Sequence, residues 1–337
     1  MKNMMKKILF IMLVLFVSSC SRESNDNIIK TKQNLKATAS KIDEDFRKIR
    51  IEVASLAEYT KYLYENSNLF VKSDNPKKYK VAQSGVLYKP ENDGGSAVFV
   101  SGIIPVDSKI RSIVYFTSPL DSVFKDIMKR LPEVAQVYYN DRNSYNRIYP
   151  FFDVLSQYAP KLEIPDYNFY YLADEIHNPE RSAVWVNDPY VDPAGRGWMV
   201  SAIAPVYHEN ELVGVPGIDV TISTVLERYI SGNSMFIIFD AAGVLVAGDE
   251  SSVSLLSMPP LTDHKYVETI KNEKFRKDDY NILRSKNSDI KAMAENLLIN
   301  RREETELNIK GRQYKVFSEP IKEVNWNIIA LIETGLL

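Results

Sequence analysis

From Ile28 onward an apolar residue recurs at every seventh position: Ile28, Leu35, Ile42, Ile49, Leu56 and Leu63. Ala39, Phe46, Val53 and Thr60 each follow four residues after one of the middle members. Alternating steps of four and three keep side chains on one stripe of an α-helix and on no regular face of a strand. No Pro or Gly interrupts residues 28–75. At 1.5 Å per residue such a helix reaches roughly 50–60 Å, and Ile28 to Tyr62 is expected to form one unbroken piece. The positions beside the stripe are mostly charged, so the other face is wet. A stripe of this kind forms either a coiled-coil seam or a face laid on the chain's own core. Packing on its own domain is the reading favoured here, with homodimerisation as the alternative.

What precedes the helix reads as an export signal. Lys2, Lys6 and Lys7 make a basic start, and Ile8 to Val17 is an unbroken apolar run. That run suits a signal peptide and falls short of the roughly 20 residues needed to span a bilayer. Val17-Ser18-Ser19-Cys20 then resembles the bacterial lipobox, which implies cleavage before Cys20 and a lipid on its sulfur. Cys20 is the only cysteine in the 337 residues, so no disulfide framework is available. Residues 21–27 are polar and read as a tether.

After Asn75-Pro76 the periodicity shortens to β-type runs separated by turn signals. Strands are expected at Ala97 to Ile104, Ile110 to Thr117, Val134 to Asn140, Ala183 to Asn187, Trp198 to Val206 and Val213 to Val220. Helices are expected at Leu120 to Arg130 and Thr221 to Ile230. Asp141 to Asn146 and Asp192-Pro193-Ala194-Gly195 read as turns, and His208-Glu209-Asn210 as the tip of a hairpin. A second β-rich unit opens with a hairpin, Met235 to Asp240 and Val244 to Ala247, turning at Gly243. Helical and polar stretches fill Lys265 to Arg302, and three strands close the unit at Glu306 to Ile309, Tyr314 to Ser318 and Trp326 to Ile332. The class is α+β.

The stretch from Trp185 to Val220 resembles the core of the double Cache sensor domain, the extracytoplasmic ligand-binding module of bacterial chemoreceptors and sensor kinases. The resemblance rests on Trp185, Asp188-Pro189-Tyr190-Val191-Asp192, Gly197-Trp198, Ser201, Pro205-Val206-Tyr207 and Gly214-Val215-Pro216-Gly217-Ile218-Asp219-Val220. Phe239-Asp240 with Gly243, Gly311-Arg312-Gln313-Tyr314 and Trp326 resemble the family's second module. It implies a long N-terminal helix followed by two PAS-like antiparallel-sheet modules. The resulting organisation is a signal peptide and lipobox at 1–20, a tether at 21–27 and the helix at 28–75. A membrane-distal ligand-binding module at 76–230 and a membrane-proximal module at 231–337 follow. Where the family's amino-acid-binding branch carries Arg-x-Trp-Tyr, this chain has Asn168-Phe169-Tyr170-Tyr171. Asn168 therefore removes the guanidinium that would clamp a carboxylate.

The candidate ligand-binding residues are Tyr138, Tyr170, Tyr171, Asp188, Tyr190 and Asp219. Asp188 and Tyr190 are two apart on an extended segment and so face the same side. Asp219 sits inside an apolar run, where a carboxylate needs a partner. Aromatic faces with carboxylates favour a cation, each face adding about 0.5–2 kcal/mol. The expected ligand is therefore amine-bearing or amino-acid-like. If a dicarboxylate were the ligand instead, Arg142, Arg147 or Arg181 would be its anchor. Asp192 is read as a turn residue, and Gly195, Gly214 and Gly217 as backbone positions.

Lys and Arg total 42 against 44 Asp and Glu, a net charge of −2, which gives no footprint for nucleic acid. The three histidines His177, His208 and His264 show no metal-pair spacing. Asn187, Asp188 and Asp192 lack an EF-hand pattern, and no Gly-x-Ser-x-Gly elbow occurs. No metal, cofactor or catalytic residue is expected, and the chain is read as a non-enzyme. The function expected is sensing by a lipid-anchored protein of the cell envelope, outside the cytoplasm, that signals to a separate sensor kinase or chemoreceptor. Delivery of a solute to a transporter is the alternative, and an uncharacterised hydrolase the second alternative.

Overall fold

In the computed structural model the apolar stripe lies on a single unbroken helix, α1 (Lys2–Glu65). The structure describes the backbone of residues 2–71, 75–192, 198–232, 235–259 and 277–336; side chains are described for all of these except 2–25, 187, 188, 191, 277, 278 and 336. The side chains of Cys20 and Asp188, the turn residues Pro193 to Gly195, Gly197 and the first part of the Lys265 to Arg302 stretch thus lie outside what is described. From Leu35 to Leu63 every stripe residue is buried. Even Thr60 fits there, because its hydroxyl donates to the Leu56 carbonyl one turn earlier at 2.8 Å. The helix ends ten residues before the expected limit. Asn66 follows it, with its side-chain amide turned back onto the Tyr62 carbonyl at 2.9 Å. A four-residue α2 (Ser67–Phe70) comes next. Among the described residues no helix is long and apolar enough to cross a membrane.

The chain packs as two compact units, each taking part of α1. The larger runs from Glu44 to Arg228. It holds β1 (Lys80–Val81), β2 (Leu87–Tyr88), β3 (Ala97–Val100), α3 (Ser108–Phe116), α4 (Leu120–Arg130), β4 (Gln136–Asp141), β5 (Tyr145–Tyr149), β6 (Val184–Val191), β7 (Trp198–Ile203), β8 (Val206–His208) and β9 (Glu211–Thr221). All pairings are antiparallel, in the order β1-β2-β3-β5-β4-β9-β7-β6, with β8 folded onto β9. The β8–β9 tip is Glu209-Asn210, both at positive φ (51° and 65°), which matches the twist of a two-residue hairpin.

The other unit joins the first part of α1, through Asp43, to the chain from Tyr229 onward. It contains β10 (Phe236–Asp240), β11 (Leu245–Gly248), β12 (Glu304–Ile309), β13 (Arg312–Ile321) and β14 (Trp326–Leu336), ordered β11-β10-β14-β13-β12. The same plan thus occurs twice. A hairpin opens the sheet, a second hairpin closes it, and the last strand lies between them: β5-β4-β9-β7-β6 in one unit, β11-β10-β14-β13-β12 in the other. The α+β class with a long N-terminal helix and two PAS-like antiparallel modules is the architecture observed.

One expected strand is a helix. Ile110 to Thr117 falls on α3, where Ile110, Ile113, Val114 and Phe116 are buried. Their three- and four-residue spacing is helical, and Asp107 caps the start by accepting from the Ile110 amide at 2.8 Å. The turn expected at Asp141 to Asn146 is shorter, since β5 already begins at Tyr145. Phe46 of α1 stacks on Trp185 of β6, with ring centroids 4.8 Å apart. The tryptophan of the family motif thus anchors a helix.

Candidate functional site

The period-two rule divides the larger sheet into two faces. On one face stand Gln136, Tyr138 and Asn140 of β4; Asn146 and Ile148 of β5; Ser201 of β7; Tyr190 of β6; and Asp219 of β9. The opposite face carries Tyr139, Asp141, Tyr145 and Arg147.

Cross-strand register builds the polar floor of the first face. Gln136 stands opposite Asp219, and Asp219 stands opposite Ser201. Residues so opposed have Cβ atoms about 4.5–5.5 Å apart, within side-chain hydrogen-bond reach. Gln136 Nε2 donates to Asp219 Oδ2 at 2.5 Å, and Ser201 Oγ donates to Oδ1 at 2.5 Å. The single Ser201 proton is thereby committed, so at 2.6 Å the Tyr190 hydroxyl donates to Ser201. Asp219 is fully buried, and this chain of donors answers the demand its place in an apolar strand makes.

Tyr138 lies beside this chain. Its hydroxyl is next to Ser201 and Tyr190, yet makes no hydrogen bond of ordinary geometry to the protein. Gln136 Oε1, turned away from Asp219 by the bond its amide donates, is likewise buried without a protein partner. Burial first, and then the Asp219 charge, push the Tyr138 and Tyr190 hydroxyls well above their ordinary titration range, so both stay neutral donors.

The segment Tyr158–Phe169 lies over this floor and leaves a cavity. Phe169 packs between Tyr138 (centroids 6.2 Å, edge-on) and Tyr190 (5.5 Å). Tyr158, Leu162 and Ile164 complete the lid, and Asn140, Asn146 and Asp192 complete the wall. The free space is about 30 Å³, room for about two waters. Among the described residues lining it there are two carboxylates, Asp192 and Asp219, and no Lys, Arg or His.

The candidates named from sequence divide as follows. Tyr138, Tyr190 and Asp219 meet at this cavity. Tyr170 is buried in the same apolar cluster but does not line the cavity. Its hydroxyl lacks a protein partner and is pushed upward by burial. Tyr171 points elsewhere: it is 37% exposed and its ring lies 5.2 Å from His177. In the short helix Asn168–Tyr171, successive residues point about 100° apart, so only one of two adjacent tyrosines faces the core. Asp192, read as a turn residue, is only 3% exposed and lines the cavity. Gln136, Asn140 and Ser201 were missed as site residues. Gln136 and Asn140 are each two residues from Tyr138 on one strand, and that spacing was the available signal.

The three alternative carboxylate anchors all point away. Arg147 is on the opposite face, paired with Asp121 at 2.7 Å and bonded to the Val114 carbonyl at 2.8 Å. Arg142 pairs with Glu211. Arg181 lies 4.0 Å over the Tyr207 ring and pairs with Glu175 at 3.1 Å. Gly217 also proves to be more than a backbone position, since the Tyr138 ring occupies the space its Cβ would take.

No protein-family profile and no curated protein matches the chain. Solved structures of similar fold are sensor domains of the kind the Trp185 to Val220 motifs resemble. The ligand-binding domain of the Pseudomonas fluorescens chemoreceptor CtaA, in complex with L-alanine, is 13% identical, with a TM-score of 0.48 over 92% of this chain and 97% of that one. That of the Pseudomonas aeruginosa amino acid chemoreceptor PctC, in complex with GABA, is 14% identical, with a TM-score of 0.49 over 91% and 100%. The extracellular domain of the putative histidine kinase mmHK1S-Z2 is 16% identical, with a TM-score of 0.41 over 63% and 80%.

Proposed function

We propose that this chain is an extracytoplasmic small-molecule sensor of double Cache type, anchored by lipid on Cys20, that binds an amine-bearing metabolite. In this reading the membrane-distal module binds the ligand, and the signal passes to a separate membrane partner, a sensor kinase or chemoreceptor. One observation carries the ligand class: two carboxylates, Asp192 and Asp219, share a cavity with two buried polar atoms, Gln136 Oε1 and the Tyr138 hydroxyl, that the protein leaves unpaired.

A buried acceptor without a partner costs about 1–3 kcal/mol. An ammonium group supplies donors to Gln136 Oε1 and positive charge to both carboxylates, whereas an anion supplies neither. The rings of Tyr138 and Tyr190 offer π faces to the same cation. The cavity, about 30 Å³, takes the charged head of such a ligand. A larger body is admitted by displacement of the Tyr158–Phe169 cover.

A thermal-shift screen of the full chain against amines, amino acids, purines and organic acids tests this directly. At 100 times its dissociation constant a ligand stabilises by about 2.7 kcal/mol. Amine-bearing compounds are expected to raise the melting temperature. Tight binding of an amine-free dicarboxylate whose affinity changes in Asp219→Asn, and which therefore occupies this cavity, would overturn the ligand class.

A further inference from the structure

The unit that contains β10 to β14 has a cavity of its own, about 490 Å³ in volume, at the end of the β13–β14 hairpin. That is the size of a small-molecule site. Arg301, Arg302 and Lys322 line it, together with Glu303, Ser318 and the edge of the buried Trp326. Its charge is hidden in the sequence, where Arg301-Arg302-Glu303-Glu304 reads as a neutral run. Folding separates the four. Glu304, the first residue of β12, turns to Lys32 of α1 and pairs with it at 2.6 Å. Arg301 stands just after the preceding helical turn with φ 53°, in the left-handed region, and lines the cavity. None of Arg301, Arg302 and Lys322 has an ion pair or side-chain hydrogen bond among the described residues. Among the described residues lining it, three cations thus share the cavity with a single carboxylate. A buried hydroxyl, that of Ser318, stands in the same wall.

We infer that this second cavity is a binding site for a small oxyanion carrying two negative charges, a phosphate group or a dicarboxylate. Two adjacent guanidinium forks match such an anion in planar, bidentate fashion. Lys322 adds a point charge from the β13–β14 turn, where Asn325 also adopts a left-handed φ of 53°. The site is chemically opposite to the acidic cavity of the other unit and does not depend on it.

Calorimetric titration of the full chain with inorganic phosphate and with succinate, at fixed ionic strength, tests the inference. One saturable site is expected for at least one of the two. Its affinity is expected to fall at least tenfold in Arg301→Gln/Arg302→Gln, and to stay unchanged in Asp219→Asn, which alters only the acidic cavity. All of these residues but Asp219 are exposed, and thermal unfolding verifies that each variant is folded. Lys322→Gln serves as the second variant, with a smaller expected loss. No saturable binding of either anion would overturn the site, as would binding that survives the double variant. Flotation with phosphatidylglycerol vesicles that is lost in the double variant, without any saturable phosphate or succinate titration, would also overturn it in favour of a lipid-surface contact.

Discussion

The aromatic ring of Tyr138 lies over Gly217, its cross-strand neighbour: a Cβ on Gly217 would stand 2.1 Å from Tyr138 Cζ. The glycine thus makes room for the ring that walls the acidic cavity. Gly217→Ala is expected to destabilise the chain by about 1–3 kcal/mol through overpacking, read by urea denaturation. In a Tyr138→Leu background the same substitution should cost less than half as much. An equal cost in both backgrounds would mean that the ring does not depend on the glycine.

Ile49 is fully buried on α1, while Ile51, two residues on, is 56% exposed. Ile49→Asp should place an unpaired charge in a packed face and lower the melting temperature by more than ten degrees or prevent folding, at a cost of roughly 4 kcal/mol or more. Ile51→Asp is expected to shift it little. Equal effects would contradict the packing of the stripe.

Asp141, on the opposite face of the sheet, accepts from the Tyr64 hydroxyl at 2.7 Å. Burial pushes its carboxyl above the ordinary 3.8, against the downward pull of Tyr64 and Asn143. The folded state therefore holds this proton more tightly than the unfolded chain. Above the ordinary value the unfolded chain binds fewer protons, and this group's stabilising contribution falls as pH rises. Asp121, held down by Arg147 against its own burial, acts with the opposite sign, so only a difference isolates Asp141. As pH rises above the ordinary 3.8, stability of the parent relative to Asp141→Asn should decline. A flat or rising difference would contradict the upward shift.

Cys20 is proposed to carry the membrane anchor. Cys20→Ala expressed in a bacterial host should leave the protein unprocessed or soluble, since each buried acyl methylene contributes about 0.8 kcal/mol and the polar tether supplies nothing comparable. A variant that is cleaved yet still sediments with membranes would contradict the anchor.

The elements with a clear period were the legible ones. The seven-residue stripe identified α1, and the carboxylate of Asp219 inside an apolar run marked one wall of the cavity. Helix α3 was misread because Ile110, Ile113 and Val114 are as acceptable in a strand as in a helix, and the Asp107 cap decides between them. Gln136 went unnamed, and Ser201 was named only for the resemblance and not for the site, because their place there comes from register: each is an ordinary polar residue until β4, β9 and β7 set them on either side of Asp219. Asp192 was masked by its turn-like neighbours. The basic cavity was illegible for a further reason, since only the pairing of Glu304 with Lys32 removes one carboxylate from a run that sums to zero.

Asp219 is the residue on which the proposed amine chemistry turns. The most direct measurement is calorimetric titration of an amine ligand, identified by the thermal-shift screen, into the parent chain and into Asp219→Asn. A loss of roughly 2–5 kcal/mol in binding, about thirtyfold to several thousandfold in affinity, is expected when the carboxylate that meets the ammonium is neutralised. A folded Asp219→Asn that binds the same amine with undiminished affinity would contradict that assignment.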